Sequence, residues 1–105
     1  MKHIFILNPV AGHKKAEPKF LPQILEAVKA EGVDYEIHRT MNVGDGENFV
    51  RNRCVAYADE KLRFYAVGGD GTLNEVANGA FGCPHAEIAF IPAGTGNDFA
   101  RNFAD

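Results

Sequence analysis

A chain of 105 residues makes one domain at most, and its 46% hydrophobic and 24% charged residues place it among ordinary soluble globular proteins able to bury a core. The net charge of −3 excludes a nucleic-acid binder held by phosphate contacts and a polybasic membrane anchor, so any contact with lipid must be local. No apolar run approaches the roughly 20 residues of a membrane span, and Met1 to Ile4 lead into a strand instead of a signal-peptide core, so the expected compartment is cytoplasmic.

Ile4-Phe5-Ile6-Leu7 is continuously apolar and β-prone, the pattern of a central strand covered on both faces of a parallel sheet. It stops at Asn8-Pro9. The loop Val10 to Lys15 combines Gly12 with His13, Lys14 and Lys15. It reads either as a solvated connection or as one wall of a phosphate site to which Lys14 or Lys15 brings charge. Phe20, Leu21, Ile24, Leu25 and Val28 then paint one face of a helix. Pro18 and Pro22 are expected in or before its first turn, and Gly32 as its stop.

Val33 to Thr40 alternates apolar and polar residues, as a strand near a sheet edge does, and delivers Arg39 and Thr40 to its end. Gly44-Asp45-Gly46 breaks the chain, with Asp45 a candidate N-cap. Phe49, Val50, Cys54, Tyr57 and Ala58 supply the next helical stripe, and Arg51 and Arg53 are expected to face solvent. Leu62 to Val67 reads as a third, buried strand. A helix is expected from Thr72 to about Gly79, then a turn at Gly82-Cys83-Pro84, a fourth strand Ile88 to Ile91, and a short last helix carrying Phe99 and Phe103. Cys54 and Cys83 lack C-x-x-C spacing and read as buried reduced thiols, and Cys83-Pro84-His85 reads as a turn, not a metal site.

The most informative stretch is Gly68-Gly69-Asp70-Gly71-Thr72, between the third strand and its helix. Three glycines around one acid give a turn without side-chain bulk, whose backbone N–H groups can approach an anion, with the positive end of the helix dipole behind them. The plain alternative is a tight turn with Asp70 as N-cap. A carboxylate beside a phosphate needs a metal ion or a reacting hydroxyl between them, which points to phosphoryl transfer. Glu75, three residues past Thr72, suits either a capping box or catalysis. Neither a Walker A loop nor a G-x-G-x-x-G fingerprint occurs.

Strands alternating with helices imply an α/β domain, an open parallel sheet of about four strands with right-handed crossovers and helices on both faces. All strand C-termini of such a sheet open on one rim, where ligands bind. That rim receives Asn8 to Lys15, Arg39-Thr40, Gly68 to Thr72 and Pro92 to Asp98. The opposite rim receives ordinary turns.

Asn8-Pro9 with Gly12, Gly68-Gly69-Asp70-Gly71-Thr72 with Asn74 to Gly79, and Pro92-Ala93-Gly94-Thr95-Gly96-Asn97-Asp98-Phe99-Ala100-Arg101 together resemble the diacylglycerol kinase catalytic domain of bacterial lipid kinases. Sphingosine and ceramide kinases share the pattern, and NAD kinases share its G-G-D-G core more distantly. The resemblance implies a Rossmann-like, phosphofructokinase-like three-layer domain that holds ATP and works with magnesium in phosphorylating a lipid hydroxyl. By it, Asn8, Pro9, Val10, Ala11, Gly12, Thr40, Gly68, Gly69, Asp70, Gly71, Thr72, Leu73, Asn74 and Thr95 line the nucleotide site. Asp70 then acts near the phosphates, and Asn97 and Asp98 stand toward the transferred group. Ala11 stands where many relatives carry Ser, which removes a possible hydroxyl contact.

The same resemblance implies a second, mostly β domain beyond these residues, carrying further acids and much of the lipid site. The 105 residues are then the N-terminal nucleotide-binding part, with little activity alone and an exposed inter-domain surface able to drive self-association. The partners implied are ATP and a lipid such as diacylglycerol, met at the membrane surface, with no nucleic acid. Two other readings stay open: a kinase for NAD or a soluble alcohol, and a nucleotide-binding module without chemistry. A receiver domain is disfavoured, since Asn8-Pro9 stands where paired acids would be needed.

Overall fold

In the computed structural model, residues 1–11 and 16–93 are described. They form β1 (Lys2–Leu7), α1 (Ala16–Glu31), β2 (Asp34–Arg39), α2 (Asp45–Ala56), β3 (Leu62–Gly68), α3 (Asp70–Ala80) and β4 (Ala86–Pro92). The strands make one parallel sheet in the order β2-β1-β3-β4. This is the expected α/β architecture, and the expected last helix falls outside the described residues.

β1 lies between β2 and β3, and its Ile4, Phe5, Ile6 and Leu7 are all fully buried, as a run without polar alternation requires. Successive residues feed opposite faces. Phe5, Leu7, Tyr65, Val67 and Ile91 pack with Phe20, Ile24 and Val28 of α1. Ile4, Ile6, Leu62, Phe64 and Ala66 pack with Val50 and Cys54 of α2 and Val76 and Ala80 of α3. The chain moves one way from β1 to β2 and the other way from β2 to β3 and β4. A reversal of direction puts the crossover helices on opposite faces when handedness is constant. β2, with Tyr35 37% exposed, is the edge strand its alternation predicted.

α1 ends as expected at Gly32, φ +62°. The Val33 N–H bonds to the Val28 carbonyl and the Gly32 N–H to that of Lys29, a paired closure that satisfies two terminal carbonyls. Pro22 departs from expectation. In the described helix, Ala16–Glu31, Pro22 is interior and exposed. The buried stripe Phe20, Ile24, Val28 holds the helix through the hydrogen bond that Pro22 cannot donate.

Two further expectations are corrected. Asp45 is the first residue of α2, not its N-cap; Gly44, φ +91°, occupies that position without a side-chain cap bond, and the Asp45 carboxylate reaches back to the Met41 N–H at 2.7 Å. Arg53 does not simply face solvent: its guanidinium holds Glu36 of β2 in two bonds of 2.8 and 2.7 Å and lies over the Phe49 ring. α3 ends at Ala80, one residue past the expected Gly79, and Gly79 is buried in it, where a Cβ would stand 2.5 Å from the Glu47 carbonyl oxygen and 2.8 Å from Val50 Cβ. α2 and α3 touch because that side chain is missing.

Candidate functional site

The reversal of winding places the exits of β1 and β3 side by side, with those of β2 and β4 flanking them, and a cleft of about 660 Å³ opens there. At the β1 exit the Asn8 N–H bonds to the Val67 carbonyl, 3.0 Å, which ties the loop to β3. Asn8 Oδ1 then accepts the Val10 N–H at 3.1 Å and its carbonyl accepts the Ala11 N–H at 3.2 Å. This side-chain-closed turn uses up the amides of Val10 and Ala11, so Pro9, Val10 and Ala11 offer the cleft an apolar wall.

The β2 exit is fixed by the Thr40 N–H on the Leu7 carbonyl, 2.9 Å. Beyond it Asp45 accepts from Met41 N–H and meets His38 Nε2 at 3.1 Å. Those contacts, the Met41 amide first, hold its carboxyl below the usual range. His38 is stacked on Phe49, 3.8 Å between ring centroids. The loop so anchored puts Met41 and Val43, 82% and 97% exposed, on the mouth of the cleft.

The β3 exit carries the glycines, and they differ. A Cβ at Gly68 would lie 2.4 Å from Thr72 Oγ1, so Gly68 lets the buried Thr72 side chain fold back against the strand end. Gly69 and Gly71 meet no such demand: neither has a positive φ, and among the described residues a Cβ on either would meet nothing within 4 Å. No described neighbour requires glycine there, and both positions are exposed. Gly69 provides α3 with no side-chain cap bond. The first-turn N–H groups of α3 lack intrahelical partners by helix geometry, and the dipole adds positive potential where they point. At β4 the Ala93 N–H bonds to the Gly68 carbonyl, 2.8 Å, closing the far side.

Of the residues expected at a nucleotide site, Asn8, Pro9, Val10, Ala11, Thr40, Gly69, Gly71 and Thr72 line the cleft. Gly68 lies under Thr72. Asp70 is exposed at the head of α3 between two lining residues, Asn74 is exposed on the same helix, and Leu73 packs against the core on the α2 side. Gly12 and Thr95, with Lys14, Lys15, Asn97 and Asp98, lie outside the described residues. Glu75 lines the cleft, and its Oε1 accepts the Gly46 N–H of α2 at 2.9 Å instead of closing a capping box. The sequence reading missed Ile6, Met41, Asn42, Val43 and Gly46 as lining residues, while Ala93 belongs to the Pro92 to Asp98 segment expected on the rim. Carrying the rim argument a few positions past Thr40 would have found most of them.

Asp70 is an exposed carboxylate beside the open glycines, and no group of three or more His, Cys, Asp or Glu that could hold a metal exists among the described residues. That donor set suits magnesium carried in by a phosphate ligand, since this ion keeps waters and needs only one or two carboxylates.

The diacylglycerol kinase catalytic domain pattern matches residues 2–104. The chain is 36% identical over 97 residues to a diacylglycerol kinase of Staphylococcus carnosus, covering 91% of this chain and 30% of that protein. It is 35% identical over 97 residues to a diacylglycerol kinase of Bacillus subtilis, covering 91% and 31%. A crystal structure of a diacylglycerol kinase from Bacillus anthracis superposes with a TM-score of 0.63 at 30% identity, covering 95% of this chain and 35% of that one. The chain spans about a third of the length of the curated relatives it matches.

Proposed function

The chain belongs to the diacylglycerol kinase catalytic domain family, and from that premise we propose that it forms the N-terminal, nucleotide-binding domain of an ATP-dependent lipid kinase. The reaction moves the γ-phosphoryl group of ATP to a lipid hydroxyl such as that of diacylglycerol. The observation that carries the reading is the pair Gly69 and Gly71, glycines that neither backbone angle nor packing against the described residues requires, at the start of α3, which has no side-chain cap bond, on the sheet's switch point. Backbone amides there receive the phosphates, with no side chain to hold them off.

The walls divide the work. Asn8 locks the first loop so that Pro9, Val10 and Ala11 exclude water from one side, and Thr40 closes the other with a hydroxyl. Magnesium, when bound with the nucleotide, neutralises phosphate charge, and Asp70 is the residue here that would hold it, directly or through water. With the phosphates fixed, a lipid hydroxyl in line with the γ-phosphorus displaces ADP, and its proton leaves to a base or to solvent. Positioning and charge stabilisation supply most of the catalysis in such transfers.

The test is a panel of acceptors given to the full-length protein with labelled ATP and magnesium: diacylglycerol, sphingosine and ceramide in mixed micelles, NAD, and a soluble polyol. Label in an extracted lipid is the expected result, and label only in NAD or the polyol would overturn the lipid assignment.

A further inference from the structure

Away from the cleft, α2 and the turn after α3 bring the chain's two cysteines together. Cys54, on the buried face of α2, is 8% exposed, and Cys83, between α3 and β4, is only partly covered. Cys83 packs against the buried cluster to which Cys54 belongs. His85 completes the cluster: its Nε2 lies 3.3 Å from Cys83 Sγ and 3.0 Å from the Cys54 carbonyl oxygen. An Nε2–H donated toward that carbonyl also faces the sulfur, so the ring is placed to donate to a Cys83 thiolate. The described residues contain no group of three or more His, Cys, Asp or Glu arranged to hold a metal, and these three are no exception.

We propose that Cys83 and Cys54 are a thiol–disulfide exchange pair, Cys83 attacking and Cys54 resolving, which takes a small-molecule disulfide as oxidant and closes a reversible bridge between α2 and the α3–β4 turn. Exposure sets the order. Cys83 can be reached from solvent, whereas burial covers Cys54 and holds its thiol in the protonated form. In the first step the Cys83 sulfur attacks one sulfur of the oxidant, the oxidant's S–S bond breaks, and one thiolate leaves and takes up the Cys83 proton. In the second, the Cys54 sulfur attacks the Cys83 side of the mixed disulfide, the second small thiolate departs, and the Cys54 proton goes with it. Two protein thiols are oxidised, one disulfide is reduced to two thiols, and a thiol reductant reverses both steps. The bridge pins the far end of α2, whose first turn supplies Gly46 to the cleft, against the turn that feeds β4. The pair does not depend on what the cleft binds.

The experiment is to incubate the native full-length protein with glutathione disulfide, block free thiols, digest without reduction and map the products by mass spectrometry. The expected product joins the Cys54 and Cys83 peptides, disappears on reduction, and raises the urea unfolding midpoint. Cys54→Ser should stop at a glutathione adduct on Cys83, and Cys83→Ser should leave Cys54 unmodified. His85→Asn should slow adduct formation about tenfold while giving the same final bridge. A stable Cys83 adduct in the wild type, modification of Cys54 first, or a bridge seen only in denaturant would each overturn the proposal. The wild-type map decides it even if a variant fails to fold.

Discussion

Glu75 Oε1 accepts a hydrogen bond from the backbone N–H of Gly46 at 2.9 Å, joining α3 to the first turn of α2 along the side of the cleft. The contact needs a glycine, because a Cβ at position 46 would stand 2.9 Å from the same oxygen. A carboxylate at a helix start also meets the favourable end of its dipole.

Glu75→Ala therefore leaves a buried N–H without its acceptor, and a loss of about 1–3 kcal/mol of stability is expected, measured by urea denaturation. Glu75→Gln keeps an oxygen acceptor at the same place and should recover most of it. If both variants lose equally, charge rather than the bond is what α2 requires.

The glycines of α3 should separate stability from binding. Gly79→Ala forces a methyl to 2.5 Å from the Glu47 carbonyl oxygen, and the overpacking should cost about 1–3 kcal/mol despite the better helix propensity of alanine. Gly71→Ala puts the same methyl into open space and should stabilise by up to about 1 kcal/mol, yet weaken ATP binding about tenfold or more, about 1.4 kcal/mol. Thermal unfolding and calorimetry on the two proteins check both halves. A stable Gly71→Ala protein with unchanged ATP affinity would remove the phosphate from that position.

The same letter carries different physics at these positions, and that marks how far the sequence could be read. The run Ile4 to Leu7 announced a central strand, and the alternation of Val33 to Thr40 an edge, because burial on two faces or one is written in periodicity. The rim that gathers Asn8, Thr40, Gly69 and Thr72 followed from strand direction alone. The packing role of Gly79 was not legible, since a glycine needed for close helix packing and one needed for a left-handed turn are spelled alike. Arg53 looked solvent-facing because its partner Glu36, 17 positions earlier on β2, comes beside it only once the sheet has formed. Pro22 was displaced outward because local propensity ignores the tertiary burial of Phe20 and Ile24.

Stability should fall as the solution is acidified through two separate windows. His3 is 9% exposed, with Nδ1 2.8 Å from the Tyr65 hydroxyl, and burial first, then the charge of Arg63, lowers its pKa from 6.5. The unfolded chain thus binds the extra proton more readily, so the contribution is complete above 6.5 and is lost as pH drops toward the lower folded value. Glu36 and Asp45 are depressed from 4.5 and 3.8 by Arg53 and by the Met41 amide, and what they contribute is lost below those values. Thermal midpoints across this range should show both steps. His3→Phe should flatten the upper one only, and an unchanged slope in that variant would assign it to another group.

Asp70 and Gly69 are adjacent, but substituting them should have opposite consequences for the two halves of the proposed reaction. Gly69→Asp places bulk and negative charge over the α3 amides, where the phosphates are proposed to lie, and a Cβ at 69 meets nothing within 4 Å among the described residues. It should fold normally and lose ATP binding beyond detection by calorimetry. Asp70→Ala removes one exposed carboxylate at the head of α3 but leaves the backbone amides in place. ATP affinity should then change by less than about tenfold, while lipid phosphorylation by the full-length protein falls by about 100-fold or more, the scale of losing a group that acts chiefly on the transition state. Should Asp70→Ala lose binding and turnover in the same proportion, the carboxylate would be holding the ground-state nucleotide and its catalytic assignment would fall. Should Gly69→Asp bind ATP as the wild type does, the phosphates lie elsewhere on the rim.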